Sequence, residues 1–464
     1  MSSTPDVLVI FGAGGDLTRR LLLPGLGQLV DSGGGAGLDV SRLRLLGVGM
    51  VELSDDEWRR RVAEAFESGG ATSEAAERLA REARYLRADV TSPDDLTRVF
   101  EAAAGTPAIY FALPPAVTEA SVAVMQSVSV PKGTVLALEK PFGTGLQSAA
   151  HLNDLVTAVV PERRVHRVDH FLGKSTVLNL LGLRFANRLF EHSWNRDAIE
   201  SVDIVFDETL ALEGRAGYYD SAGALVDMIQ SHLLQVLALV AMEPPSSLTA
   251  DDLRGGMAQV LRATRVGPGA PASASRRARY TAGRIGEREL PAYVDEQGVD
   301  PSRQTETLAE MSVTVENWRW AGVPFRLRSG KAVGAERKEI IITFRDVPHL
   351  PDGLLGVSEP SRLRISLSPE DVRLDVLMNG GGDPFDLDCV TFEARLGTAD
   401  LGPYGEVLSG ILTSDPTLSL RGDVIEECWR IVEPVLTSWR EGNVPMEEYP
   451  AGSMGPEGWS EPLA

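Results

Sequence analysis

The sequence predicts an α/β domain of Rossmann-like type followed by an α+β domain with a large antiparallel sheet. Three observations carry this expectation. Short apolar runs alternate with charged helical stretches through the first third of the chain. The first of those runs ends in a glycine-rich turn. Beyond about residue 200 strand-like segments follow one another with few helices between them. At 464 residues there is room for two domains with sizeable cores. The expected division is 1–167 and 168–464.

Val7-Leu8-Val9-Ile10-Phe11 is apolar and β-branched, and reads as a buried strand. Gly12-Ala13-Gly14-Gly15-Asp16-Leu17 stops it, and a helix starts near Asp16. Pro24 makes that helix kink or restart. A strand, a glycine turn and a helix N-terminus form an anion site suited to a dinucleotide pyrophosphate. Leu17 stands where the third glycine of the full G-x-G-x-x-G would be. Leu43–Val48 is the second strand, followed by Met50, Val51 and Glu52. An acid after this strand suits the ribose of NAD, and an arginine suits the phosphate of NADP. Arg19 and Arg20 are the nearest cations in sequence, so the choice stays open at this point. Ser54-Asp55-Asp56-Glu57 is a capping box opening a charged helical region. Tyr85–Val90, Ala108–Leu113 and Val135–Leu138 complete the alternating strands. The last leads into Glu139-Lys140-Pro141-Phe142-Gly143, where ligands of such sheets bind.

In the second part, Val202–Phe206, Val313–Val315, Lys338–Phe344, Arg362–Leu367, Val372–Leu377 and Asp388–Ala394 read as strands. Val266–Ser275 reads as a loop and Tyr449–Ala464 as a Gly/Pro-rich tail over the surface. Gly223 to Met242 is apolar almost all round and reads as a buried helix. Its polar interruptions include Asp227 and His232, about 140° apart on an α-helix.

The net charge of −21 disfavours nucleic acid and acidic membrane surfaces as partners. Cys389 and Cys428 make neither a disulfide framework nor a zinc pattern. The polar start and the short apolar runs predict no signal peptide and no bilayer span, hence a cytoplasmic protein. Only Lys132, Lys140, Lys174, Lys331 and Lys338 among 45 basic residues are lysine, which singles them out. Arg167-Val168-Asp169-His170-Phe171-Leu172-Gly173-Lys174 packs two cations, an acid and an imidazole into one stretch.

These stretches together resemble the glucose-6-phosphate dehydrogenase family. The glycine turn resembles its coenzyme motif, Glu139–Gly143 its lysine-proline turn, and Arg167–Lys174 its substrate motif. Leu183-Arg184-Phe185-Ala186-Asn187-Arg188 with Trp194-Asn195-Arg196 is also similar, as are Trp320–Phe325, Arg328–Lys331 and Ala451–Pro456. The resemblance implies oxidation of C1 of D-glucose 6-phosphate to the 6-phospho-lactone, in the pentose phosphate pathway. His232 would be the base and Asp169 the carboxylate supporting its imidazole. His170 and Lys174 would hold the phosphate, and Glu208 and Asp227 the sugar hydroxyls. Lys331 and Arg337 would be further substrate contacts. Lys140 would serve both substrate and coenzyme, with Tyr110, Gly12, Gly14, Gly15, Asp16 and Leu17 at the coenzyme. The implied coenzyme is NADP, with NAD as the alternative because Met50 replaces the expected arginine. The implied assembly is a homodimer or homotetramer joined through the large sheet.

The sequence also departs from the family. Phe171 stands for the usual tyrosine; a lost hydrogen bond to a charged group costs roughly 1.5–3 kcal/mol. Ser368 stands for the usual glutamine, and the Lys331-to-Arg337 loop is a residue longer than the common form. A paralogue for another hexose phosphate is one alternative. A sugar oxidoreductase of the other Rossmann family with a Glu-Lys-Pro turn is a second. A non-catalytic nucleotide-binding regulator is the third; it would not need His232, Asp169 and Lys174.

Overall fold

A computed structural model of the chain describes residues 4–459 apart from 36, 170, 215, 357–358, 370 and 398–400. It divides into two compact units. The first holds Met1–Ser175, Pro245–Gly255 and Ala399–Glu426, and the second holds Thr176–Pro244, Gly256–Thr398 and Glu427–Ala464.

In the first unit β1 (Val7–Phe11), β2 (Arg44–Gly49), β3 (Arg84–Arg87), β4 (Pro107–Phe111), β5 (Val135–Leu138) and β6 (Val165–Val168) form a parallel sheet. Its order is β6-β5-β4-β1-β2-β3, and Ser419–Leu420 adds an antiparallel strand beside β6. Strands β1, β4 and β5 are buried throughout, which is why they read as continuous apolar runs. The helix Asp55–Ser68 opens with the expected Ser54/Glu57 capping box. The first helix restarts at Pro24: a wide turn over Thr18–Leu22 gives way to Leu23–Asp31, with proline in its opening positions. A single cut after residue 167 does not describe the units. It would pass through β6 and would leave out the returning Ser419–Leu420 strand. It would also leave out the helix Pro403–Thr413, which packs on Leu23–Asp31. Gly25 permits that approach, since a Cβ there would lie 3.0 Å from Tyr404 Cβ.

The second unit contains β7 (Ile199–Asp207), β8 (Thr264–Val266), β9 (Ser275–Thr281), β10 (Gly283–Ile285), β11 (Arg288–Leu290) and β12 (Leu308–Val315). It continues with β13 (Pro324–Gly330), β14 (Arg337–Phe344), β15 (Leu355–Gly356), β16 (Arg362–Ser366), β17 (Asp371–Asn379) and β18 (Asp386–Arg395). β10 and β11 form a separate hairpin. The rest, with Met446–Pro450, make one large sheet in the order β15-β18-β17-β16-β14-β7-β13-β12-β9 and then Met446–Pro450, with β8 beside β12. Most pairings are antiparallel, but β7 with β13, β9 with Met446–Pro450, and β15 with β18 are parallel. The C-terminal stretch is no surface tail over its described length. Met446–Pro450 is a sheet strand, and Tyr449, Ala451 and Trp459 are buried.

The apolar segment after Gly223 is a buried helix, as expected, but of unusual shape. Leu225–Leu233 is wound as a π-helix and Leu234–Ala241 as an α-helix. By length and composition Ala216–Ala241 would cross a bilayer, contrary to the reading from short apolar runs. Most of it is buried inside the unit, and its apolar surface is that of a core helix. A buried helix end cannot give its last carbonyls to water. Here Arg184 donates to the Leu239 and Met242 carbonyls at 2.6 and 2.7 Å. Trp194 Nε1 donates to Val240 O and Trp320 Nε1 to Ala241 O, both at 2.8 Å. The three motifs containing Arg184, Trp194 and Trp320 therefore meet at one helix end. Burial lowers the Arg184 pKa to about 9, with the neighbouring Arg319 acting in the same direction. Arg184→Met should lower the unfolding free energy by about 3 kcal/mol in urea titration, because two buried carbonyls lose their donor. An unchanged midpoint would contradict the clamp.

Candidate active site

The first unit presents a coenzyme half. Gly12 has φ +81, and a Cβ there would stand 2.1 Å from the Ala112 carbonyl oxygen. Only glycine fits that crossing of β1 and the end of β4. Gly12 and Ala13 N–H donate to Val48 O at 2.9 and 3.0 Å, tying the turn to β2. Thr18 Oγ1 and Gly15 N–H donate to Gly12 O. Gly14, Gly15 and Asp16 are exposed, so the helix N-terminus opens to solvent as an anion site requires. Asp16 forms an exposed pair with Arg20 at 3.4 Å. Leu17 packs its side chain on the core, where the full motif would have a third glycine.

Past β2, Met50 and Val51 are 62% and 53% exposed, and no cation directly follows them. The sheet register supplies one: Arg87 lies opposite Gly49 and pairs with Glu52 at 3.3 Å. Sequence reading missed Arg87, because only strand pairing brings it to this edge. An acid and an arginine thus stand together where ribose or its phosphate is read.

The Glu139-Lys140 turn follows β5, and the Lys140–Pro141 bond is cis. Glu139 is the group sequence reading passed over here. Its Oε1 accepts from Tyr110 OH at 2.5 Å and from Tyr404 OH at 3.4 Å. Burial pushes its carboxyl above the ordinary range, against the opposing pull of the Tyr110 hydrogen bond. Tyr110 is itself fully buried in β4. Its phenol donates to Glu139, so the pair links the end of β4 to the lysine-proline turn.

Asp169 is 2% exposed, and its Oδ1 accepts the Phe171 N–H at 2.9 Å. Leu172 N–H and Lys174 N–H close the following turn on Asp169 O and Phe171 O. His170 lies outside the described residues. Phe171 is buried, and Lys174 Nζ stands 4.0 Å from its ring centroid. The ring that lacks the family's hydroxyl therefore seats the lysine by cation–π attraction. Arg167 is a core cation, held by Glu162 at 2.8 Å.

The second unit holds the residues expected for a sugar half. Glu208, just past β7, pairs with Lys331 Nζ at 2.9 Å. Lys338 Nζ lies 4.0 Å from the same carboxylate and 3.1 Å from Glu336. Lys331 Nζ also lies 5.2 Å from the Tyr219 ring centroid. Asp227 bonds to Tyr218, whose phenol is pushed up chiefly by burial. His232 is 1% exposed. The π-helical stretch changes the Asp227–His232 relation. Hydrogen bonds there run over five residues, and this wider winding brings positions 227 and 232 nearer to one face than the 140° separation of an α-helix.

Arg337 does not join this group. Side chains alternate along β14, so Arg337, Glu339, Ile341 and Thr343 line a cleft of about 410 Å³ on the other face. Arg337 there pairs with Glu339 at 2.9 Å. The neighbour on the Glu208 face is Lys338. The extra loop residue made the two indistinguishable in sequence. Ser368 is exposed after β16.

A parallel sheet with a glycine-turn helix, joined in one chain to a lysine- and carboxylate-bearing sheet, is of the two-domain dinucleotide-binding class. Residues 9–179 match the model described as glucose-6-phosphate dehydrogenase, NAD binding domain, and 181–464 match the C-terminal domain of the same family. The chain belongs to the glucose-6-phosphate dehydrogenase family. It is 37% identical to the glucose-6-phosphate 1-dehydrogenase of Gluconobacter oxydans, covering 99% of this chain and 96% of that one. With the Zymomonas mobilis enzyme of the same name it shares 34% identity over 98% and 97% of the two chains. The crystal structure of the Mycobacterium avium enzyme is similar at TM-score 0.84 and 34% identity, covering 98% and 96%. A structure described as the dehydrogenase in complex with its substrate glucose-6-phosphate is similar at TM-score 0.88 and 27% identity, covering 100% and 98%.

Exchanging Gly12 for alanine should raise the KM for dinucleotide at least tenfold, since the methyl group would displace the turn from Ala112. Steady-state kinetics at saturating sugar phosphate reads this, and an unchanged KM would contradict the turn's role.

Proposed function

We propose that the protein oxidises C1 of D-glucose 6-phosphate to 6-phospho-D-glucono-1,5-lactone, reducing a nicotinamide dinucleotide, with NADP preferred over NAD. The observation that carries this reading is the sugar half. A buried imidazole and a carboxylate stand on one π-helical stretch, in a unit that also gathers Glu208, Lys331 and Lys338. The relatives' names and the glucose 6-phosphate complex of a similar structure support the same substrate.

The chemistry follows from these groups. His232 takes the proton of the C1 hydroxyl as the C1–H bond breaks. A nicotinamide held by the glycine-turn unit would supply the hydride acceptor. Asp169 supports the imidazolium by the role the resemblance assigns to it. Glu208 and Asp227 accept from sugar hydroxyls, and Lys331 and Lys338 supply donors and positive charge. Lys174 and His170 hold the phosphate. For the coenzyme, the Gly12–Leu17 turn holds the pyrophosphate. Arg87 is the cation that supports NADP, and Glu52 is the acid that would favour NAD. We also propose a cytoplasmic homodimer or homotetramer.

Reduced-nicotinamide absorbance should rise with glucose 6-phosphate and either dinucleotide, and stay flat with free glucose. No turnover on any hexose phosphate would overturn the reading. His232→Asn should lower kcat by about 10³-fold or more while sugar-phosphate binding persists; a near-normal rate would place the base elsewhere. Met50→Arg should shift relative kcat/KM toward NADP, and unchanged ratios would remove that position from coenzyme choice.

A further inference from the structure

The helix that carries Asp227 and His232 starts inside the second unit, so its first N–H groups need acceptors there. Leu225 N–H donates to Glu306 Oε1 at 2.9 Å, and Ala224 N–H donates to the Glu306 carbonyl at 3.3 Å. Gly223 precedes them with φ +68, and a Cβ on it would lie 2.3 Å from Glu306 Oε1. The carboxyl occupies the space that a side chain at 223 would need. Glu306 is 6% exposed. The next residue, Thr307, accepts the Lys331 N–H on its carbonyl at 2.9 Å, and Tyr449 OH stands 2.9 Å from its hydroxyl. Two consecutive residues thus hold the start of the base-bearing helix and the backbone of a lysine in the sugar cluster.

We propose that Glu306 is a positioning residue for the reaction: its carboxyl fixes the start of the π-helical stretch, and with it the aim of Asp227 and His232 toward substrate. This rests on the functional reading above. The charged and titratable groups that act with it are Arg277 on β9, Tyr219 on the helix Ala216–Ala224, and Tyr293 on the short turn Tyr293–Asp295. Burial pushes the Glu306 carboxyl up from 4.5 to about 7. The folded protein then binds this proton more tightly than the unfolded chain, so stability from this group falls as pH rises from 4.5 through 7.

Two conservative variants separate reach from charge. Glu306→Gln keeps the length and an acceptor oxygen. Glu306→Asp keeps the charge but is one methylene short of Leu225. Per folded protein, kcat should stay within about threefold of wild type for the Gln variant and fall about tenfold or more for the Asp variant. The KM for dinucleotide should be unchanged in both. The opposite order, or a wild-type kcat in the Asp variant, overturns the proposal. Urea unfolding reads the same contact without turnover. The Asp variant should unfold at lower urea at pH 5 and pH 8, and the Gln variant should exceed wild type at pH 8 while matching it at pH 5. An Asp midpoint equal to wild type would remove the contact. A wild-type protein that reduces no dinucleotide with hexose phosphate would remove the activity but leave the urea comparison intact.

Discussion

A helix end placed inside a protein must find its hydrogen-bond partners there, and that constraint organises the second unit. The helix from Leu225 to Ala241 has few polar side chains and buried ends. Glu306 serves its first N–H groups, and Arg184, Trp194 and Trp320 serve its last carbonyls. Each lost partner would leave a desolvated backbone group, at about 1–3 kcal/mol. The motifs containing Arg184, Trp194 and Trp320 are therefore anchors of the helix that carries Asp227 and His232.

Strand alternation is the second constraint. β7, β13 and β14 lie side by side, and their two faces carry different chemistry. One face gathers Glu208, Lys331 and Lys338, which can meet a polyhydroxylated anion. The other pairs Asp203 with Arg326 and Asp207 with Arg328, leaving an arginine-lined cleft that includes Arg337. A shift of one residue exchanges the faces. That is why Lys338 stands beside Glu208 while Arg337 lines the cleft.

Much of this was legible in the sequence, for identifiable reasons. Val7–Phe11 and the glycine turn read correctly because a buried parallel strand leaves a continuous apolar run and a tight crossing leaves glycine. The Ser54/Glu57 box is local, so its spacing is sufficient evidence. What failed depended on distant partners. The π-helical winding around His232 is invisible where apolar residues occur on every face. The bond of Tyr110 to Glu139 depends on the pairing of β4 with β5. Arg87 needed the register of β2 with β3. Glu306 sits in the polar run Arg303-Gln304-Thr305-Glu306-Thr307, which reads as surface loop. The tail looked exposed because its glycines and prolines mask the strand Met446–Pro450 and the burial of Trp459.

The helix that carries Asp227 and His232 is clamped at both ends. Native-state hydrogen exchange across residues 224–242 of the wild-type protein, followed with rising denaturant, tests it most directly. If the clamps hold, amides of the first and last turns exchange only through the same large unfolding that exposes the middle of the helix. End amides that exchange by local fraying, at a free energy well below that of the middle, would contradict the account.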